Sequence, residues 1–125
     1  MAGERILVVD DEPEIIELLR DVLVADGYVV DAAPDAGTAL RLIRENIYDL
    51  GLIDFNLPDM DGVMLHHQIR QMDAELAAST IFMSGLLQSD ENLGYYMSHS
   101  GGFLAKPFDI SDVLRRVIAV LGEGA

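Results

Sequence analysis

Strand-like and helix-like segments alternate along this chain from end to end, and that alternation leaves few folds open. Residues 5–9 (RILVV) are a continuous apolar run that ends in acid. Pro13 suits the first turn of a helix, with Asp11 or Glu12 as its cap. Ile15, Leu18, Leu19, Val22 and Leu23 keep helical spacing until Gly27 stops it. Residues 28–31 (YVVD) read as a second strand, and Asp35 opens a second helix with Ala36, Ala39, Leu40 and Ile43 on one face. Residues 49–53 (DLGLI) are a third strand. The segment Asn56-Leu57-Pro58-Asp59-Met60-Asp61-Gly62 is a loop dense in turn residues. Leu65, Ile69 and Met72 mark a third helix, and residues 79–83 (STIFM) a fourth strand. A fourth helix is expected over residues 89–98; Gly94 interrupts it and its apolar face (Leu93, Tyr96, Met97) is small, so we expect it to be the most mobile element. Residues 102–105 (GFLA) are a fifth strand, and Asp109 caps a last helix carrying Val113, Leu114, Val117, Ile118 and Leu121.

Five strand–helix units in succession predict an α/β fold: an open, doubly wound, five-stranded parallel sheet with helices on both faces. Such sheets place their sites at the carboxyl ends of the strands, where the strand order switches. At 125 residues the chain is expected to be one domain with its core over 5–121. It has no cysteine, which excludes disulfides and thiolate metal sites. No apolar run is long enough to span a membrane, and the first is too short for a signal peptide, so a cytoplasmic protein without membrane insertion is expected. Acidic residues outnumber basic ones 22 to 8. A net charge of −14 repels phosphate backbones and argues against direct nucleic-acid binding.

The strand ends carry the chemistry. The first strand ends in Asp10-Asp11, the third in Asp54, the fourth in Ser84 and Gly85, and the fifth in Lys106-Pro107. Taken singly these are ordinary: a helix cap, a loop start, a turn. Together they bring three carboxylates, a hydroxyl and the chain's single lysine to one sheet edge. Two like charges at about 4 Å repel by on the order of 4 kcal/mol at an effective dielectric of 20, so protonation or a cation must offset them. A hard divalent ion is the natural partner; Mg2+ takes one or two carboxylates, keeps waters and meets a phosphoryl oxygen. A lysine supplies a point charge for a second phosphoryl oxygen and a serine a donor for the third. That leaves an aspartate as nucleophile, in the manner of enzymes that form aspartyl phosphates.

The segments ILVVDDEPEI, DLGLIDFNLPDMDG, IFMSG and FLAKPFD, in this order and spacing, resemble the CheY-like receiver domain of bacterial two-component response regulators over residues 5–121. The resemblance implies a flavodoxin-like sheet with strand order 2-1-3-4-5. It implies that Asp54 is the phosphoacceptor, that Ser84 binds the phosphoryl group and moves with it, and that Lys106 pairs with a phosphoryl oxygen. Mg2+, or Mn2+ in its place, would be held by the carboxylates of Asp11 and Asp54, by the backbone carbonyl of Asn56 and, through a water, by Asp10. Phe103 falls at the family's aromatic switch position, Pro58 and Gly62 fit the loop after the phosphoacceptor, and Pro107 follows the lysine. The implied donor is a sensor histidine kinase or histidine phosphotransfer protein. The implied effector surface is the face of the fourth helix, fifth strand and last helix. Such a domain is a signalling phosphoacceptor, not an enzyme in the ordinary sense; it catalyses only its own phosphorylation and dephosphorylation. The reading accommodates a stand-alone regulator, a phosphorelay shuttle or a piece of a longer chain.

Two departures are visible: Phe103 lacks the hydroxyl of the commoner tyrosine, and Gly85 stands where the family often has alanine, which leaves more room beside the phosphoryl group. Of the rival readings, a haloacid-dehalogenase phosphatase would need an acid two residues after a nucleophilic Asp10, where this chain has Glu12 and offers no cap domain. A flavin mononucleotide binder needs a glycine- and hydroxyl-rich loop where DDEPE stands. A pseudo-receiver that never phosphorylates sits poorly with a complete Asp/Asp/Ser/Lys set. His66 and His67 point in different directions from one helix, so one is expected to pack or be solvated and neither to ligate. His99 reads as a helix-end residue, and Tyr95-Tyr96 as partner contacts or a cover for the sheet edge.

Overall fold

The computed structural model describes residues 3–84 and 101–122. Five parallel strands form one sheet: β1 (Arg5–Val9), β2 (Val29–Ala33), β3 (Leu50–Asp54), β4 (Thr80–Ser84) and β5 (Gly102–Ala105). Their order is β2-β1-β3-β4-β5, as expected for the flavodoxin-like arrangement. The helices among the described residues are α1 (Pro13–Ala25), α2 (Ala36–Glu45), α3 (Gly62–Met72), α4 (Ala74–Ala78) and α5 (Ile110–Leu121). The helix expected over 89–98, with Gly85, Leu93, Gly94, Tyr95, Tyr96, Met97 and His99, lies outside the described residues.

Apolar residues on both faces of the central strands produce two cores, one on each side of the sheet. Ile6, Val8, Leu52, Ile81 and Met83 pack with Leu19 and Leu23 of α1 and Val113 and Val117 of α5. Leu7, Val9, Ile53, Phe82 and Phe103 pack with Ala36, Ala39, Leu40 and Ile43 of α2 and with Leu65 and Ile69 of α3. Side chains that alternate along a strand thus feed separate cores, which is why these strands carry no polar stripe.

The boundaries differ from the sequence reading in places. β2 runs from Val29 to Ala33, not 28–31: Tyr28 packs in the core before the strand, and the ladder to β1 continues until Ala33 pairs with Val9. β3 and β4 each lie one residue later than expected, so Asp54 and Ser84 are the last residues of their strands. The short helix α4 was not foreseen; Asp73 ends α3 and caps α4 by accepting from the Leu76 amide at 3.1 Å. Met72, expected on the buried face of α3, is 40% exposed, and His66 takes its place, fully buried. The His66 ring meets Phe82 edge-on at 5.3 Å, and its Nε2 is 2.9 Å from the Ala77 carbonyl, which as an acceptor requires that nitrogen to donate. This tie fastens α3 to α4. Leu18 and Ile118 are likewise more exposed than their spacing suggested, because α1 and α5 bury only narrow stripes. Neither Glu12 nor Asp109 caps its helix through the side chain, although each occupies the cap position. No helix among the described residues is long and apolar enough to cross a membrane.

Gly62 shows why the loop before α3 needs a glycine. A Cβ there would fall on the Phe55 ring and lie 3.1 Å from the Phe55 Cα. The Gly62→Ala variant should therefore lose about 1–3 kcal/mol by overpacking, read as a lower urea midpoint at unchanged m-value.

Candidate functional site

β1, β3, β4 and β5 deliver their polar groups to one edge. β1 hands the chain to Asp10, whose amide donates to the Ala33 carbonyl at 3.1 Å. Asp10 is fully buried; its Oδ1 accepts from the Glu12 amide at 2.9 Å, a tight turn that starts α1. Asp54 closes β3 and is 5% exposed. Its Oδ1 accepts from the Asn56 amide at 3.3 Å, and the Phe55 amide donates to Met83 at 2.9 Å, so the chain leaves β3 still tied to β4. Lys106 is placed by its own amide, which donates to the Ser84 carbonyl at 2.9 Å, and a cis peptide bond joins it to Pro107.

The lysine reaches back over the carboxylates. Its Nζ lies 2.8 Å from Asp10 Oδ2, 3.0 Å from Glu12 Oε1 and 3.6 Å from Asp54 Oδ2. Burial works against its charge, but the hydrogen bonds to Asp10 and Glu12 and the charges of Asp10 and Asp54 outweigh burial and raise its pKa. Burial pushes the Asp54 carboxyl up from an ordinary 3.8 to about 6; Lys106 pulls it down, Asp10 and Asp11 push it up, and the Asn56 amide pulls it down. The Asp54 carboxyl is thus buried yet largely ionised at neutral pH. One carboxylate oxygen from each of Asp10, Asp11 and Asp54 lies within 4.8 Å of the others. This is an all-oxygen, doubly buried and once exposed donor set that fits a hard divalent cation with room for water.

Of the remaining expected residues, Asn56 touches this cluster through its amide, which donates to Asp54. Ser84, buried at the end of β4, pairs in register with Ala105, next to Lys106. Phe103 sits opposite Phe82 in the β4–β5 ladder, buried in the core on the α2/α3 side. Asn56 bridges to Asp61, closing the loop that holds Pro58 and Gly62. Two residues escaped the sequence reading. Glu12 was assigned only as a cap, yet its carboxylate binds a lysine 94 positions away. Asp59 looked like a turn residue, yet it accepts from the Ala36 and Gly37 amides at 3.0 Å each and so caps α2 from the loop after Asp54; those hydrogen bonds hold its pKa below the usual carboxylate range. No local pattern announces either contact. By contrast, Asp31 lies inside β2, bound to Arg5 and Tyr48 at 2.8 and 2.7 Å, and takes no part in the site.

Residues 6–118 match the response regulator receiver domain. The chain belongs to that family. Its CheY-like fold extends to solved structures: a receiver domain protein of Methanospirillum hungatei superposes with a TM-score of 0.89 at 28% identity, covering 98% of this chain and 96% of that one. The response regulator TrrA of Thermotoga maritima, solved in complex with Mg2+-BeF, gives 0.83 at 29% identity over 94% of this chain and 99% of that one. Among curated relatives, the transcriptional regulatory protein DltR of Streptococcus agalactiae is 32% identical over 90% of this chain and 50% of its own length. The receiver chain spans about half the length of the curated transcriptional regulators it matches.

Proposed function

We propose that this receiver domain accepts a phosphoryl group on Asp54 from a phosphohistidine of a sensor histidine kinase or histidine phosphotransfer protein. The observation that carries the reading is the buried Asp54 carboxylate with Lys106 Nζ at 3.6 Å and the Asp10-Asp11 pair beside it. An ionised Asp54 oxygen attacks phosphorus in line, the P–N bond breaks, and imidazole leaves as the neutral ring, protonated at its other nitrogen. Lys106 pairs with one phosphoryl oxygen and the Ser84 hydroxyl donates to another. Asp11, Asp54 and the Asn56 carbonyl, with Asp10 through a water, are the residues that would hold Mg2+ or Mn2+. The bound cation supplies charge neutralisation at the phosphoryl oxygens. Hydrolysis reverses the state when water attacks phosphorus and the P–O bond to Asp54 breaks.

As Ser84 moves toward the phosphoryl group, Phe103 can shift into the space it leaves, biasing the face of β5 and α5 toward an effector. Inverting a 1:99 population takes about 5.5 kcal/mol, the order that two or three charge-assisted contacts at roughly 1.5–3 kcal/mol each supply. The test is intact mass after incubation with acetyl phosphate, with and without Mg2+. We expect one added phosphoryl group in the wild type with Mg2+, and none in Asp54→Asn. A wild type that gains no mass and binds no beryllofluoride would instead make the acidic edge a docking surface of a pseudo-receiver.

A further inference from the structure

Glu12 occupies the N-cap of α1, where a carboxylate would ordinarily accept from the first helical amides, yet it makes no capping hydrogen bond. Its side chain turns to Lys106 Nζ at 3.0 Å. Asp10 holds the same nitrogen at 2.8 Å, while Asp54 stands at 3.6 Å, beyond hydrogen-bond range. Lys106 therefore gives two of its three donors to the α1 side of the site and makes no hydrogen bond to Asp54, the proposed phosphoacceptor. Asp10 is fully buried and fixed by the Glu12 amide, whereas Glu12 is 56% exposed and its carboxylate is free to exchange the lysine for water. Of the two anchors only Glu12 can release its hold without stranding a buried charge.

We infer that Glu12 is a positioning residue: it parks Lys106 off Asp54 in the unphosphorylated domain and competes with the incoming phosphoryl oxygen for that ammonium. The inference rests on the phosphoacceptor reading and adds a rate- and affinity-setting residue to it. An exposed pair is weak, so its competition is small, about two- to fivefold. That is the size of effect that would tune how readily the site fills without disabling it.

The test is beryllofluoride affinity by calorimetry at saturating Mg2+, together with the half-saturating acetyl phosphate concentration and the maximal rate of mass gain. The proteins are wild type, Glu12→Gln and Glu12→Asp. Glu12→Gln should bind beryllofluoride about two- to fivefold tighter and half-saturate at correspondingly lower acetyl phosphate. Glu12→Asp keeps the charge but shortens the reach to Lys106, and should follow Glu12→Gln. If Glu12→Asp instead matches wild type while Glu12→Gln tightens, plain charge repulsion explains the effect and the inference fails. Unchanged or weaker binding in Glu12→Gln overturns it too, with the phosphoacceptor reading intact. A wild type that binds no beryllofluoride at all overturns both.

Discussion

Replacing Asp54 with asparagine should stabilise the metal-free domain at pH 7.5 by up to about 3 kcal/mol, even as it removes the proposed phosphoacceptor. The cause is the buried carboxyl. Its pKa in the folded protein is raised to about 6 from 3.8, so the folded state binds this proton more tightly than the unfolded chain. Wild-type stability from this group therefore falls as pH rises through the window from about 4 to 6, and the full cost is present above it. Asparagine is neutral throughout. The advantage of Asp54→Asn should shrink to roughly half at pH 5.0, where folded Asp54 is mostly protonated and unfolded Asp54 mostly ionised. Urea melts of both proteins in a chelator at the two pH values decide it; a gain equal at both, or a loss at pH 7.5, would refute the account. Added Mg2+ should then raise the wild-type midpoint more than the variant's, since the variant lacks one of the proposed carboxylate ligands.

The second large effect concerns the ion pair that spans the site. Lys106→Met strands Asp10, which is fully buried and bound by the ammonium at 2.8 Å. Breaking such a pair from one side costs about 3–5 kcal/mol, mostly the penalty of the charge left behind. Asp10→Asn combined with Lys106→Met removes both charges, so the double variant should fall short of the summed single losses by more than about 1 kcal/mol. Strict additivity in a denaturation cycle would show that solvent, not Asp10, satisfies the lysine.

The fold was legible because the central strands are short continuous apolar runs and each long helix carries its own periodicity. The α2 stripe of Ala36, Ala39, Leu40 and Ile43 is buried as its spacing demands. What escaped lay below or beyond that periodicity. Five residues of α4 are too few to show a helical repeat, and Met72 lost its expected burial to His66, whose ring finds a carbonyl and Phe82 that no spacing rule anticipates. The positions of Asp10, Asp54, Ser84 and Lys106 followed from where their strands end, which the parallel sheet turns into proximity. The contacts of Glu12 with Lys106 and of Asp59 with α2 join segments far apart in sequence, and each residue already had a plausible local role that concealed the distant one.

The sheet that separates two cores has a consequence for how such a domain drifts. A volume change at Leu19 or Val117 is answered by neighbours on the α1/α5 side, and one at Leu40 or Ile69 by neighbours on the α2/α3 side. Substitutions without shared neighbours combine nearly additively, so compensating changes need not cross the strands. One flank is then free to be rewritten for new partners while the other keeps its packing, and only the edge that joins them, with its carboxylates and single lysine, must answer to both.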